Sequence, residues 1–525
     1  IMPANLGLSL QETIQPVPEG GHRIRFVTAT SLFDGHDASI NVMRRILQAS
    51  GVEVIHLGHN RSVREIVDAA VEEDADGIAV SSYQGGHTEF FKYMIDMLRE
   101  RNRAEIRVFG GGGGVIVNRE IRELEAYGVT RIYSPRDGQV MGLQGMIDDM
   151  LERTEFDPKL DHITDLSVLR TGNRGELARM ITAIENQLVG SPLLEQLEKE
   201  IKDTTTVRAP VIGITGTGGS GKSSLTDELV LRWRLDHSDM LQIAILAIDP
   251  SRKKTGGALL GDRIRMNAIE GNQIFMRSLA TRSSTSETPA QLLPIIQAVQ
   301  LAGFDLVIVE TPGIGQGDSE ITSLTDLSLY VMTPEFGAAS QLEKIDMLDH
   351  ADFVAINKFD RKGGEDAVRD VRKQLQRNRS AFDQKLSDMP VFGTVASHFN
   401  DTGVSELYMA IHSTLETRGM AVRPGSFSEH GVPESDSYGV IVPVRRRGYL
   451  GDIAETIREY QLRVESSAGI ARQRQQLEES AKILEEAGQS SVEVQVLAEA
   501  RERALDKDAR ALLLGFRGLE EHYKL

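Results

Sequence analysis

The sequence has no cysteine among its 525 residues. That excludes disulfides, iron–sulfur clusters and thiolate zinc sites, and it fits a reducing compartment. Long apolar runs are missing too: none reaches the roughly 18 residues of a membrane span. Residues 1–20 lack the basic start and hydrophobic stretch of a secretory leader. Positive charge is in the minority, with Lys+Arg 59 against Asp+Glu 77 and a formal net charge of −18. A chain this acidic repels a phosphate polymer, so neither nucleic acid nor an anionic membrane is expected as a partner, while a local basic pocket for one nucleotide stays open. These absences predict a cytoplasmic protein. Hydrophobic residues at 40% and charged residues at 26% are globular values. At roughly 150 residues per domain the length predicts about three domains. A start at Ile1 and a stop at Leu525 inside a helical pattern predict a piece of a longer chain.

Hydrophobic periodicity divides the chain into four segments. In residues 1–150, apolar runs at Ile24–Val27, Val52–Leu57, Gly77–Ser82, Arg107–Gly110 and Thr130–Tyr133 alternate with amphipathic stretches such as Ala38–Gln48 and Thr88–Arg99. Short buried strands alternating with helices make βαβ units, and five strands predict a flavodoxin-like, Rossmann-like α/β domain. Residues 151–208 read as a helical linker, broken at Gly190-Ser191-Pro192, where serine can cap and proline can open a helix. Residues 209–420 hold a second doubly wound sheet, with runs at Val211–Ile214, Ile243–Ile248, Leu306–Val309, Leu327–Val331, Phe353–Ile356 and Val391–Thr394. Residues 421–525 begin with a Gly-, Pro- and Ser-rich loop over Met420–Gly439 and continue as charged helices after Ile453.

The second block carries the sharpest motif. Gly216-Thr217-Gly218-Gly219-Ser220-Gly221-Lys222-Ser223 matches GxxxxGK[ST], follows an expected strand and opens an expected helix at Ser224. Its glycines let successive N–H groups, from Gly219, Ser220 and Gly221 onward, turn toward one phosphate, with the positive helix end behind them. Lys222 then neutralises the β and γ phosphates, and the Ser223 hydroxyl ligates Mg²⁺. Asn357-Lys358-Phe359-Asp360 ends a later strand, where a doubly wound sheet places its base-binding loops. The Asp360 carboxylate can accept the two N–H groups of a guanine edge, whereas adenine would leave it unpaired, so the expected nucleotide is GTP. Asn357 would brace this loop, the Lys358 stem would cover the base, and Ala396-Ser397-His398 would add contacts.

Magnesium needs further oxygens, best supplied by carboxylates at strand tips facing the phosphate loop. Asp249 and Glu310 end two strands, and Asp262 lies in the Gly-rich segment Gly256–Arg265, expected to close over the nucleotide. The Ile248 carbonyl and Thr311 are secondary candidates, and Arg265 is a candidate phosphate contact. Glu310-Thr311-Pro312-Gly313-Ile314-Gly315-Gln316 resembles the DxxG switch of GTPases with Glu for Asp, and Gln316 is the candidate for orienting the attacking water.

In the first block, Asp34-Gly35-His36-Asp37-Ala38-Ser39 follows the first strand, at the carboxyl edge where such sheets bind ligands. Asp34 is placed to accept the His36 ring N–H and so sharpen the other nitrogen as a metal ligand. Ser81-Ser82-Tyr83 and Gly110–Gly114 end two neighbouring strands and give that edge a floor of small residues.

Asp34, His36, Ser81 and Gly112-Gly113 resemble the DxHxxG, SxL and GG pattern of the cobalamin-binding domains of base-off/His-on enzymes. Two letters depart from it: Ser39 stands for the glycine and Tyr83 for the leucine. The resemblance implies adenosylcobalamin, with His36 as lower cobalt ligand in place of dimethylbenzimidazole, Asp34 bonded to it, and the Ser81 and glycine loops around the buried tail. The second block resembles the G-protein chaperones of acyl-CoA mutases, through the phosphate loop, Ala247–Ser251, Arg277–Arg282, Glu310–Gln316 and Asn357–Asp360. The two in one chain resemble the fused isobutyryl-CoA mutase family over residues 20–525. That resemblance implies an acyl-CoA-binding mutase barrel in the full-length chain but not in these residues, a homodimer, and a cobalamin adenosyltransferase as partner. It also implies GTP hydrolysis that gates cofactor loading or release. A GTPase signalling switch with a receiver-like first domain is the alternative; that domain would want more acids at the sheet edge. A metallochaperone would want a His- or Cys-rich tract, and none is visible.

Overall fold

The computed structural model describes residues 23–524 except 155–164, 204–207, 253–254, 283–287, 314–317, 337–341, 343–344 and 419–448. The chain divides into two compact units, residues 1–434 and 435–525.

The first unit holds two parallel sheets. In the first, β1 (Arg25–Ser31), β2 (Glu53–Arg61), β3 (Gly77–Ser81), β4 (Arg107–Gly111) and β5 (Arg131–Tyr133) alternate with helices α1 (Ala38–Ala49), α2 (Val63–Glu72), α3 (His87–Glu100) and α4 (Asn118–Tyr127), with α5 (Pro135–Arg153) following β5. Helices cover both faces, so every residue of β1 and β3 is buried, including the polar Arg25, Thr28, Thr30 and Ser31 of β1. Their order is β5-β4-β3-β1-β2. Neighbouring β1 and β3 therefore send their following loops to opposite faces, and the crevice between those loops is the ligand position of this topology.

A sixth strand was not expected. Ala258–Leu260 (β8), from the segment expected to close over the nucleotide, instead lies parallel beside β2, in register Glu53↔Ala258, Val54↔Leu259 and Ile55↔Leu260. Ala258 and Leu260 are fully buried in the core of the first sheet. The physical reason is that β2 would otherwise expose an unpaired edge, which an extended apolar tripeptide satisfies.

The second sheet runs β13-β12-β11-β6-β10-β7-β9, all parallel. Its strands are β6 (Val211–Gly216), β7 (Ile243–Asp249), β9 (Ile274–Ala280), β10 (Leu306–Glu310), β11 (Leu327–Met332), β12 (Phe353–Asn357) and β13 (Val391–Thr394). Six match the apolar runs; β9 was missed because Arg277 interrupts it, yet Arg277 is fully buried. α8 (Lys222–Asp236) follows β6. The expected linker holds α6 (Arg174–Glu185) and α7 (Ser191–Asp203). Leu177, Ile181, Ile184 and Leu197 pack with Val211, Leu246 and Phe275, so this stretch is a helical layer on the second sheet.

Residues 435–525 contain helices Tyr449–Glu486, Val492–Ala504 and Lys507–Tyr523. Asp506 caps the last through the Ala509 N–H at 2.7 Å. The Met420–Gly439 loop lies outside the described residues. No described helix is long and apolar enough to cross a membrane.

Candidate functional site

At the crevice of the first sheet, the loop after β1 brings Asp34 and His36 together. Buried Asp34 accepts the His36 backbone N–H at 2.9 Å through Oδ1 and the His36 Nδ1–H at 2.8 Å through the same atom. Its other oxygen accepts the Tyr83 N–H at 2.5 Å. Burial alone would raise the Asp34 pKa, but the Tyr83 and His36 amides hold it below the usual carboxylate value. An ionised Asp34 fixes the proton on Nδ1, which makes Nε2 the lone-pair nitrogen. The His36 side chain is 78% exposed, so that nitrogen is open to a ligand.

Behind this loop lies a cavity of about 360 Å³, bordered by Ile40, Met43, Ser81, Phe109, Gly112 and Gly113 among others. A Cβ at Gly112 would sit 2.2 Å from the Ser82 carbonyl oxygen, so the chain here needs a residue without one. Apolar walls, a glycine floor and an outward imidazole nitrogen fit a corrinoid: a flat heterocycle in the cavity and a metal at Nε2. The Ser81 and glycine candidates thus border one cavity beside His36.

At the second site the loop after β6 wraps the start of α8. Lys222 Nζ donates to the Gly216 and Thr217 carbonyls at 3.1 and 3.3 Å. Ser223 Oγ stands 2.7 Å from Glu310 Oε1 and 3.1 Å from Asp262 Oδ1. A residue missed in the sequence, Thr226, donates to Glu310 Oε2 at 2.9 Å; its i+3 spacing from Ser223 on one helix face was the available signal. Asp249 Oδ2 accepts the Gly261 N–H at 2.9 Å. Burial, and then the neighbouring Asp262 charge, push Asp249 up to about 8. Burial and Asp262 likewise push Glu310 up to about 7, against the pull of Ser223 and Lys222. Three carboxylates and a hydroxyl crowded this way suit a divalent cation, which would relieve their repulsion.

A cavity of about 380 Å³ is bordered by Gly219, Gly221, Lys222, Ser223, Ser224, Asp249, Asp262, Arg265, Glu310, Thr311 and Lys358. Arg265 reaches Asp262 at 3.2 Å, and Lys358 Nζ donates to the Gly219 carbonyl at 2.7 Å. Asn357 braces the loops: its Nδ2 donates to the Ser220 carbonyl at 2.8 Å, and its Oδ1 accepts the Ala396 N–H at 3.1 Å. Ser220 itself is fully buried.

The remaining candidates differ in placement. Ile248 is buried inside β7 and does not border the cavity. The Thr311 hydroxyl donates to Thr215 Oγ1 at 2.8 Å. Phe359 lies against Gly393, and Asp360 is exposed on the loop after β12, outside the cavity border. Gln316 falls outside the described residues. Asp236, His237 and His412 hold ligand atoms within 4.8 Å of one another. Their two imidazoles are stacked at 24° with centroids 5.6 Å apart, next to Trp233.

Comparison with known proteins finds two families along the chain. Residues 24–136 match the B12 binding domain family, and residues 177–425 match the family described as methylmalonyl-CoA mutase-associated GTPase MeaB. The chain is 58% identical over 502 residues to a fused isobutyryl-CoA mutase of Cupriavidus metallidurans, covering 96% of this chain and 46% of that one. It is 54% identical to a fused isobutyryl-CoA mutase of Geobacillus kaustophilus, covering 91% of this chain and 44% of the relative. A Pyrococcus abyssi protein provisionally named a GTPase is 32% identical over 54% of this chain and 80% of its own length. The chain spans about half the length of the fused relatives it matches.

Proposed function

We propose, for a chain that belongs over nearly its whole length to the fused isobutyryl-CoA mutase family, with a B12 binding domain and a MeaB-type GTPase domain, that it binds adenosylcobalamin through His36 and hydrolyses GTP to gate loading or release of that cofactor. His36 Nε2 would hold the cobalt, Asp34 would keep the opposite ring nitrogen protonated, and the cavity between α1 and the glycine loop would take the cofactor's nucleotide tail. When bound, the corrinoid supplies a radical through its cobalt–carbon bond. The protein orients it and keeps water away.

At the second site, Lys222 and the Gly219–Ser223 backbone neutralise the phosphates of GTP. Ser223, Asp249, Asp262 and Glu310 hold Mg²⁺, with Thr311 as a reserve oxygen. Arg265 and Ser224 border the phosphates; Asn357, Lys358, Phe359 and Asp360 receive the guanine; Gln316 orients the water. In a longer protein carrying an acyl-CoA-binding barrel, the same cofactor would serve rearrangement of isobutyryl-CoA to n-butyryl-CoA. A homodimer, cofactor delivery by a cobalamin adenosyltransferase and a cytoplasmic setting complete this reading.

The observation that carries it is the Asp34–His36 pair opening beside an apolar cavity. Mixing the protein with adenosylcobalamin should give the absorbance change of lower-ligand replacement, and His36→Ala should abolish it. Persistence of the change in His36→Ala would remove His36 from the site. GTP should be hydrolysed in preference to ATP, with Asp360→Asn weakening the preference; equal selectivity in that variant would remove Asp360.

A further inference from the structure

The two positions at which the first site departs from the cobalamin pattern touch each other. Ser39 lies in the first turn of α1 and Tyr83 in the loop after β3, 44 residues apart, and their hydroxyls hydrogen-bond at 2.8 Å. Glycine and leucine, the residues they replace, have no group to make this bond. Tyr83 is held from other sides as well. Its N–H donates to Asp34. Its ring centroid stands 5.5 Å from that of His36, and a Cβ at Gly113 would come within 2.3 Å of the Tyr83 ring. Ser39, Tyr83 and Gly113 all border the 360 Å³ cavity, whose inner wall includes buried Ile40, Phe109 and Met150. Ser39 is exposed, so the bond joins α1 to the β3 loop on the solvent side of the cavity, beside His36.

We propose that the Tyr83–Ser39 bond is a latch of the empty domain. It has to open before the nucleotide tail of a corrinoid passes from the His36 side into the cavity, and it stays open while the tail spans that passage. This rests on reading the cavity as the corrinoid tail site. The latch stabilises the closed, empty form only, so it slows association and leaves dissociation unchanged. A hydrogen bond of this kind corresponds to a factor of about two to ten.

The test is stopped-flow absorbance with adenosylcobalamin and with adenosylcobinamide, which carries the corrin but no nucleotide tail. Tyr83→Phe keeps the ring over Gly113 and removes only the hydroxyl; Ser39→Ala removes the other partner. Each should speed adenosylcobalamin association about two- to tenfold, and the double variant should gain no more than either alone, because one bond is being removed. The ratio of the adenosylcobalamin rate to the adenosylcobinamide rate should rise by the same factor. Unchanged or slower adenosylcobalamin association in both variants would overturn the latch. So would an equal acceleration for adenosylcobinamide, which would mean general loosening of the loop. If the native chain gives no absorbance change with either corrinoid, the reading of the cavity falls instead.

Discussion

At the scale of single residues, both sites depend on close backbone approach as much as on the motif side chains. Gly313 has φ +69°, and a Cβ there would fall 2.1 Å from Lys222 Nζ and 2.2 Å from the Gly216 carbonyl. Gly313→Ala should therefore displace Lys222 and weaken GTP binding about tenfold or more, measured by titration of a fluorescent GTP analogue, through strain of about 1–3 kcal/mol. Unaltered affinity would show that the Gly313 turn does not set the lysine. Local spacing made the phosphate loop and the Asp34–His36 hydrogen bond legible, because each joins residues a few positions apart, whereas Asp360 of the Asn357–Asp360 tetrapeptide stands exposed outside the cavity. The sequence left Thr226 and the Tyr83–Ser39 contact unread. Thr226 meets Glu310 across 84 residues, and Tyr83 meets Ser39 across 44, so only the fold brings them together.

At the scale of elements, the alternation of apolar runs reported the parallel sheets well, because strands buried on both faces need no polar positions. It failed where charge is buried or a strand is borrowed. β9 carries Arg277, paired with Glu185 at 2.6 Å. β8 is three residues long and finds its partner more than two hundred residues back. Two residues beyond β8, Asp262 stands against Ser223, so one short segment is anchored in the first sheet and reaches the second site. Gly257, at its start, leaves no space: a Cβ would fall 2.2 Å from the Gln48 carbonyl oxygen. Gly257→Ala should lift β8 from the sheet edge, and hydrogen exchange should accelerate at the amides of residues 258–260 while those of β6 stay protected. Unchanged exchange at 258–260 would show that the edge accommodates the methyl group.

At the scale of the molecule, the two sheets of the first unit are joined through buried charge as well as through β8. Arg25 bonds Glu53 at 2.7 Å, with Glu185 at 3.3 Å and Glu73 at 3.4 Å. Arg282 reaches Glu53 at 2.8 Å, and Arg263 reaches Glu72 at 2.7 Å. Arg25, Glu53 and Glu73 come from the first sheet's domain, whereas Glu185 ends α6 and Arg282 lies two residues beyond β9. Removing one member strands the rest, so Glu53→Gln should cost about 3–5 kcal/mol in denaturant unfolding. Burial alone would raise the Glu53 pKa, but Arg282 and Arg25 hold it far below the usual range. Such a carboxyl binds fewer protons folded than unfolded, so its stabilisation is complete above about pH 4.5 and is lost as the pH falls below it. Glu53→Gln should flatten the acid limb of the stability curve. An unchanged acid limb would assign it to other carboxylates.

Whether an imidazole of this chain holds the corrinoid cobalt is read out by electron paramagnetic resonance of cob(II)alamin bound to protein carrying ¹⁵N-labelled histidine. A superhyperfine doublet from ¹⁵N, lost in His36→Ala, is the predicted result. A triplet from the ¹⁴N of the cofactor's own benzimidazole would contradict it.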